Sequence, residues 1–270
     1  MYLDFYKLSE FPFSITPDPK FLYFDTSHRD AYQHLLYGIT SRKGFIALTG
    51  ECGCGKSTIC RAVLDALGDT AKTALILNPV LDGPQLLRAI VEDLGIRPTA
   101  FDRFSLIQAL NAFLLEQAQS NTLVVIVIDE AQDLPAKTLE EVRLLSNLET
   151  SSQKLLQIVL SGQQELSDRL ADPSLRQLRQ RITVRYHISP MVFNEVGPYI
   201  RHRLKTAGAP DNLVFTEPAI MKVARYSHGI PRLINAICDY ALLAGFTAGT
   251  FTIDGACVDR AEYQLEGSLP

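Results

Sequence analysis

Lys56 and Ser57 close the run Gly50-Glu51-Cys52-Gly53-Cys54-Gly55-Lys56-Ser57, with Thr58 behind them, and the run fits G-x-x-x-x-G-K-[ST]. Glycines at these positions let successive backbone N–H groups curl around phosphate oxygens. A helix opening directly after them presents its unpaired N–H groups and positive dipole end to the same anion. Lys56 then reaches the outer phosphates and the Ser57 hydroxyl supplies a ligand to Mg²⁺. Gly50, Gly53, Cys54, Gly55, Lys56, Ser57 and Thr58 are therefore the candidate residues for holding a nucleoside triphosphate.

Such a match has meaning only between a strand and a helix. Phe45-Ile46-Ala47-Leu48-Thr49 is a short apolar run suited to a buried strand, and Ile59, Ala62, Val63, Ala66 and Leu67 recur at helical spacing. A second apolar run, Leu123-Val124-Val125-Ile126-Val127-Ile128, ends in Asp129-Glu130. Strands buried on both faces belong to parallel sheets covered by helices, and ligands bind at the carboxyl ends of such strands. Asp129 is thus the expected carboxylate for Mg²⁺, and Glu130 the expected base that orients and deprotonates an attacking water. Gln163, with Ser161 as its rival, ends the similar run Leu155–Ser161 and is placed to bridge a γ-phosphate and that water. Asn78, ending the run from Thr73, is a candidate to hold Glu130 inactive. Arg176, Arg179 and Arg181 lack matched carboxylates nearby, so one of them, with Arg181 preferred, is expected to project into a neighbouring subunit's nucleotide. Arg232, in Gly229-Ile230-Pro231-Arg232, stands on the first turn of a helix where a positive charge opposes the dipole, which favours a role on the phosphates.

The elements that must carry these groups divide the 270 residues in two. Residues 1–190 read as an α/β nucleotide-binding domain: an aromatic, proline-punctuated strap through Pro19, a helix over His28–Ile39, then five strands alternating with helices, the last strand over Ile182–Ile188. Residues 191–270 read as a small all-helical lid without strands, its helices over Asn194–Thr206, Glu217–Tyr226 with Thr216 as N-cap, Pro231–Ala244 and, more weakly, Ile253–Tyr263. A hydrophobic fraction of 47%, a charged fraction of 21% and a net charge of −4 describe a soluble globular chain with no overall basic footprint for nucleic acid. The cysteines (Cys52, Cys54, Cys60, Cys238, Cys257) form neither a disulfide framework nor a zinc set, and the five histidines show no metal spacing. A reducing cytoplasm, with no membrane span and no signal peptide in the chain as given, is the expectation.

Taken together, the phosphate loop, Asp129-Glu130-Ala131-Gln132, Ser161-Gly162-Gln163, Gln180-Arg181-Ile182 and Gly229-x-Pro231-Arg232 resemble the AAA+ ATPases. More narrowly, Met1-Tyr2-Leu3-Asp4-Phe5-Tyr6, Pro12-Phe13, Thr16-Pro17-Asp18-Pro19-x-Phe21-Leu22-Tyr23, His28-Arg29, Tyr37-Gly38-Ile39 and Lys43-Gly44-Phe45 resemble the general secretion pathway protein A (ExeA-type) family. That resemblance implies an AAA+ three-layer sandwich with a helical lid and an ATP- and Mg²⁺-dependent hydrolase that forms homo-oligomers. It further implies a cytoplasmic module working with a GspB-type inner-membrane partner on secretin assembly in type II secretion. In that family a transmembrane helix and a peptidoglycan-binding domain follow, so the chain reads as an excised domain or a short member. A second reading of the same residues is a DNA-associated regulator of the transposition-helper type, which the acidic balance disfavours. Cys52 and Cys54 depart from the family's loop. The favoured reading is a small residue that fills space; the competing one is a thiol that, beside Lys56 and a helix N-terminus, oxidises readily at Cys54 and obstructs phosphate binding.

Overall fold

The computed structural model describes residues 1–77, 80–149 and 153–267. Along the chain run α1 (Tyr2–Tyr6), α2 (Thr26–Thr40), β1 (Phe45–Gly50), α3 (Lys56–Leu67), β2 (Ala71–Ile76), α4 (Gly83–Asp93), α5 (Arg103–Gln119) and β3 (Leu123–Ile128). There follow α6 (Ala136–Leu145), β4 (Leu156–Gly162), α7 (Gln164–Ala171), α8 (Arg176–Arg181), β5 (Ile182–Ile188) and α9 (Phe193–Thr206). The remainder comprises β6 (Val214–Phe215), α10 (Glu217–Ser227), α11 (Pro231–Thr247), β7 (Thr252–Ile253) and α12 (Gly255–Glu266). Internal contacts gather Asp30–Cys52 with Ile59–Ile188 into one unit, and Met1–Arg29, Gly53–Thr58 and the chain from Ser189 onward into another.

The first unit is an α/β sandwich whose five strands are all parallel, in the order β2-β3-β4-β1-β5. β1, β3 and β4 are buried at every position, as their unbroken apolar runs require, whereas β5 alternates buried and exposed residues and forms an edge. Ile126, Ile158 and Leu160 of the sheet share a core with Ile90 of α4, Leu110 of α5 and Leu178 of α8. Each such side chain contributes about 1.5–3 kcal/mol by leaving water. α4 starts at a capping box: Asp82 Oδ1 accepts from Gln85 N and Gln85 Oε1 accepts from Asp82 N, each over 2.9 Å. Because the strands are parallel and in register, Gly50, Ile128 and Gly162 all end at one edge of the sheet.

The second unit packs α9 to α12 around a core of its own. Two features differ from the sequence reading. Val214–Phe215 and Thr252–Ile253 pair in parallel, giving two-residue strands too short to show a period of two. The strap assigned to the nucleotide-binding domain instead groups with these helices and opens with the single turn α1, which stops where Lys7 adopts φ 56°. Its aromatic residues find their burial here: Tyr2, Tyr6, Phe13 and Phe21 are core residues beside Val196, Ile200 and Ile220, and the Tyr6 hydroxyl donates to Leu242 O at 3.0 Å. Arg203, only 6% exposed, ties the strap down by donating from Nε to Pro12 O at 2.6 Å and from Nη2 to Ser14 O at 3.2 Å. Thr216 caps α10, its Oγ1 accepting from Ala219 N at 3.3 Å.

Candidate functional site

The phosphate-loop residues follow β1 and open α3, as the motif requires. Gly53 and Gly55 have φ of 83° and 84°, the left-handed conformation in which side chains are strained. Space forbids a side chain as well: a Cβ on Gly53 would lie 2.6 Å from Arg232 Cβ, and one on Gly55 would lie 2.9 Å from His28 Nε2. Gly50 has its own constraint, since a Cβ there would meet Ile188 O on β5 at 2.7 Å. Outside donors hold the loop: Arg232 N donates to Gly53 O at 3.2 Å, and His28 Nε2 donates to Cys54 O at 2.9 Å. Lys56 is buried and the Arg232 side chain is exposed. The cysteines separate: Cys54 is wholly buried and Cys52 is exposed, which favours a space-filling Cys54 over an oxidisable one.

The strand-end residues form a second group within the sheet unit. Asp129, one residue past β3, accepts at Oδ1 from Ser161 Oγ at 2.7 Å, and both side chains are buried. Glu130 has φ 50°, a left-handed conformation uncommon for a side-chain-bearing residue, and its own N–H donates to Asp129 Oδ1 at 3.1 Å. Glu130 Oε2 accepts from Gln132 Nε2 at 2.8 Å and from Gln163 Nε2 at 3.3 Å. Gln132 Oε1 accepts from Gln163 N at 3.1 Å, which fixes the orientation of the Gln132 amide and leaves its NH₂ for Glu130. The sequence reading placed Gln163 here and carried Gln132 only within the run Asp129-Glu130-Ala131-Gln132, without giving it a role; its signal was its spacing two residues beyond Glu130. Asn78, the expected holder of Glu130, lies outside the described residues.

The arginines of α8 stand elsewhere. Ile182, directly after Arg181, pairs with Phe45 at the amino end of β1, whereas Ile188 pairs with Gly50 at its carboxyl end. A strand of seven residues at about 3.3 Å each puts Arg181 roughly 20 Å from the edge at which β1 ends. Its Nη1 donates to Ser146 Oγ, and Arg176 and Arg179 are exposed.

A family model described as an AAA domain matches residues 39–170. General secretion pathway protein A of Aeromonas hydrophila is 44% identical, in an alignment covering 99% of this chain and 49% of that protein. The chain carries an AAA domain and is similar along its length to general secretion pathway protein A. A protein of Methanocaldococcus jannaschii described as an uncharacterized HTH-type transcriptional regulator is 27% identical over 62% of this chain and 41% of its own length. This AAA-domain chain thus spans about half the length, or less, of the curated relatives it matches. Among solved structures, Cdc6p of Pyrobaculum aerophilum superimposes with a TM-score of 0.69 at 19% identity, covering 94% of this chain and 75% of that one. The ORC2 protein of Aeropyrum pernix, solved as ADPNP–ADP complexes, gives a TM-score of 0.67 at 16% identity over 90% of this chain and 68% of its own. These likenesses establish the AAA fold.

Proposed function

We propose that the chain binds ATP with Mg²⁺ and hydrolyses it as the ATPase module of a secretion-assembly protein, acting as a homo-oligomer. The observation that carries the reading is the shared sheet edge: β1 runs into the phosphate loop at the edge where Asp129 follows β3 and Ser161-Gly162-Gln163 closes β4. Glycines that no side chain could replace suit a cradle for phosphate, and a buried carboxylate aligned by a hydroxyl suits a divalent cation. In this reading Lys56 neutralises the outer phosphates, Ser57 and Asp129 hold Mg²⁺, Glu130 activates water, Gln163 positions it, Arg232 contacts the phosphates, and Arg181 serves a neighbouring copy. A secretion role follows from likeness to general secretion pathway protein A, with a GspB-type inner-membrane partner, secretin assembly as the task and the cytoplasmic face of the membrane as the place. Among the described residues, no helix is long and apolar enough to cross a membrane.

The test is ATP turnover of the chain and of Glu130→Gln at several protein concentrations. Loss of general-base assistance costs about 10²- to 10⁴-fold, so Glu130→Gln is expected to bind ATP and scarcely turn it over. Equal turnover in the two proteins would remove Glu130 from the chemistry. The similarity to a protein described as a transcriptional regulator supports a second reading, an ATP-dependent DNA-associated regulator. An ATP-dependent mobility shift on duplex DNA at low salt would favour that reading, and co-purification with inner-membrane secretion components the first.

A further inference from the structure

Two consecutive carbonyl groups of the phosphate loop accept from donors outside it: Gly53 O from Arg232 N at 3.2 Å, and Cys54 O from His28 Nε2 at 2.9 Å. No described peptide bond is cis. In a trans peptide the carbonyl of one residue and the N–H of the next point in opposite directions. Holding Gly53 O therefore directs the N–H of Cys54, and holding Cys54 O directs the N–H of Gly55. Left-handed glycines at φ 83° and 84° flank Cys54, the kind of turn in which successive N–H groups form a concave nest for an anion. The carbonyl oxygens, which would repel phosphate, are held on the opposite side.

His28 is fixed for this task by a single carboxylate. A carbonyl oxygen only accepts, so the Nε2 facing Cys54 O carries a proton. On the other side of the ring Nδ1 lies 2.7 Å from Asp25 Oδ2, while Asp25 Oδ1 accepts from the His28 backbone N–H, also at 2.7 Å. One carboxylate thus caps the first turn of α2 and sets the ring that ends at the loop. Asp25 and His28 are each 2% exposed, so water does not compete for either contact. The ring has room only because residue 55 is glycine.

We infer that His28 is a positioning residue for phosphate: oriented by Asp25, and acting with the backbone N–H of Arg232, it turns the 53–54 and 54–55 peptide planes so that their N–H groups face the phosphates of a nucleoside di- or triphosphate. The inference rests on the nucleotide-binding reading above. It sets the phosphate part of the affinity through a residue outside the loop, and it distinguishes the backbone of Arg232 from its side chain.

Titration of the full chain with ADP and with adenosine, by calorimetry or by competition with a fluorescent nucleotide, tests it. His28→Phe keeps the bulk of the ring and removes the donor; it is expected to weaken ADP about tenfold while leaving adenosine unchanged, as the loss of one buried hydrogen bond predicts. His28→Gln, whose amide can donate, should recover most of the loss. Unchanged ADP affinity in His28→Phe, or an equal fall for ADP and adenosine accompanied by a lower melting temperature, would overturn the positioning role. Should His28→Phe not fold, Asp25→Asn decides, because asparagine still caps the helix. A smaller loss for ADP with adenosine unaffected supports the role, and no selective loss defeats it. Wild-type chain that binds ADP no better than Lys56→Ala would instead overturn the nucleotide reading itself, and this inference with it.

Discussion

Ser161 Oγ donates to Asp129 Oδ1 over 2.7 Å, one residue past the pairing of Ile128 with Leu160, so neighbouring strands fix the carboxylate from the side as well as from below. The same oxygen accepts from Glu130 N, which places the remaining oxygen, Oδ2, on the other side of the carboxyl group. Ser161→Ala should loosen Asp129 without touching the phosphate loop. The expected result is a rise of about three- to tenfold in the Mg²⁺ concentration for half-maximal turnover, matching loss of one hydrogen bond to a charged group, with metal-free nucleotide affinity unchanged. An unaltered Mg²⁺ dependence would separate Ser161 from the metal.

The buried guanidinium of Arg203 is met by the carbonyls of Pro12 and Ser14 and by the Tyr199 hydroxyl, over which Nη1 donates at 2.9 Å. Arg203→Met keeps most of the volume and strips these oxygens of their donors. It should cost about 2–4 kcal/mol in urea unfolding. Arg203→Lys should recover little of this, because an ammonium cannot span the same fork. A midpoint within error of wild type for Arg203→Met would show that the strap is held by its aromatic residues alone.

Burial raises the Asp239 carboxyl above its ordinary range, a shift only partly offset by the hydrogen bond it accepts from the Tyr2 hydroxyl. Burial likewise raises the Tyr2 phenol, followed by its hydrogen bond to Asp239. For Asp239 the folded chain holds the proton more tightly than the unfolded one. Its contribution is full below the unfolded value and is lost as pH rises through the raised folded value. Asp239→Asn should therefore match wild-type stability below about pH 4 and exceed it near neutrality, with solvent screening keeping the difference modest. Urea midpoints across that range read it directly, and curves that run parallel at every pH would refute the assignment.

Thiol reactivity should follow the same packing. Burial pushes the Cys238 and Cys257 thiols up, Cys54 and Cys60 are buried, and Cys52 is exposed. Brief treatment of the folded chain with a maleimide should modify Cys52 first, as located by mass spectrometry, and denaturant should release the other four. Modification of Cys54 at a rate comparable with Cys52 would contradict its burial.

Much of the sheet was legible because its chemistry is local. Val124–Ile128 and Ile158–Leu160 are so apolar that only burial on both faces satisfies them, and Asp129 and Gln163 follow at their ends. What was not legible depends on partners distant in sequence. Tyr2, Tyr6 and Phe13 advertise burial without saying which core they join, so the strap was assigned to the wrong neighbour. His28 was judged on metal spacing, whereas its partner is a backbone carbonyl, which every residue possesses and no sequence pattern marks. The two-residue pairing of Val214–Phe215 with Thr252–Ile253 has no periodicity to detect.

Arg181 stands at the amino edge of the sheet and β1 runs into the phosphate loop at the opposite edge, so the sheet unit has two unlike edges. If Arg181 completes a neighbour's site, these separate edges suit head-to-tail association, in which each copy serves the next. An open arc always has one terminal copy whose nucleotide meets no arginine. Turnover per molecule would then climb with the number of copies in the arc and reach its ceiling only when the ends meet, so closure into a ring would itself register as a gain in rate.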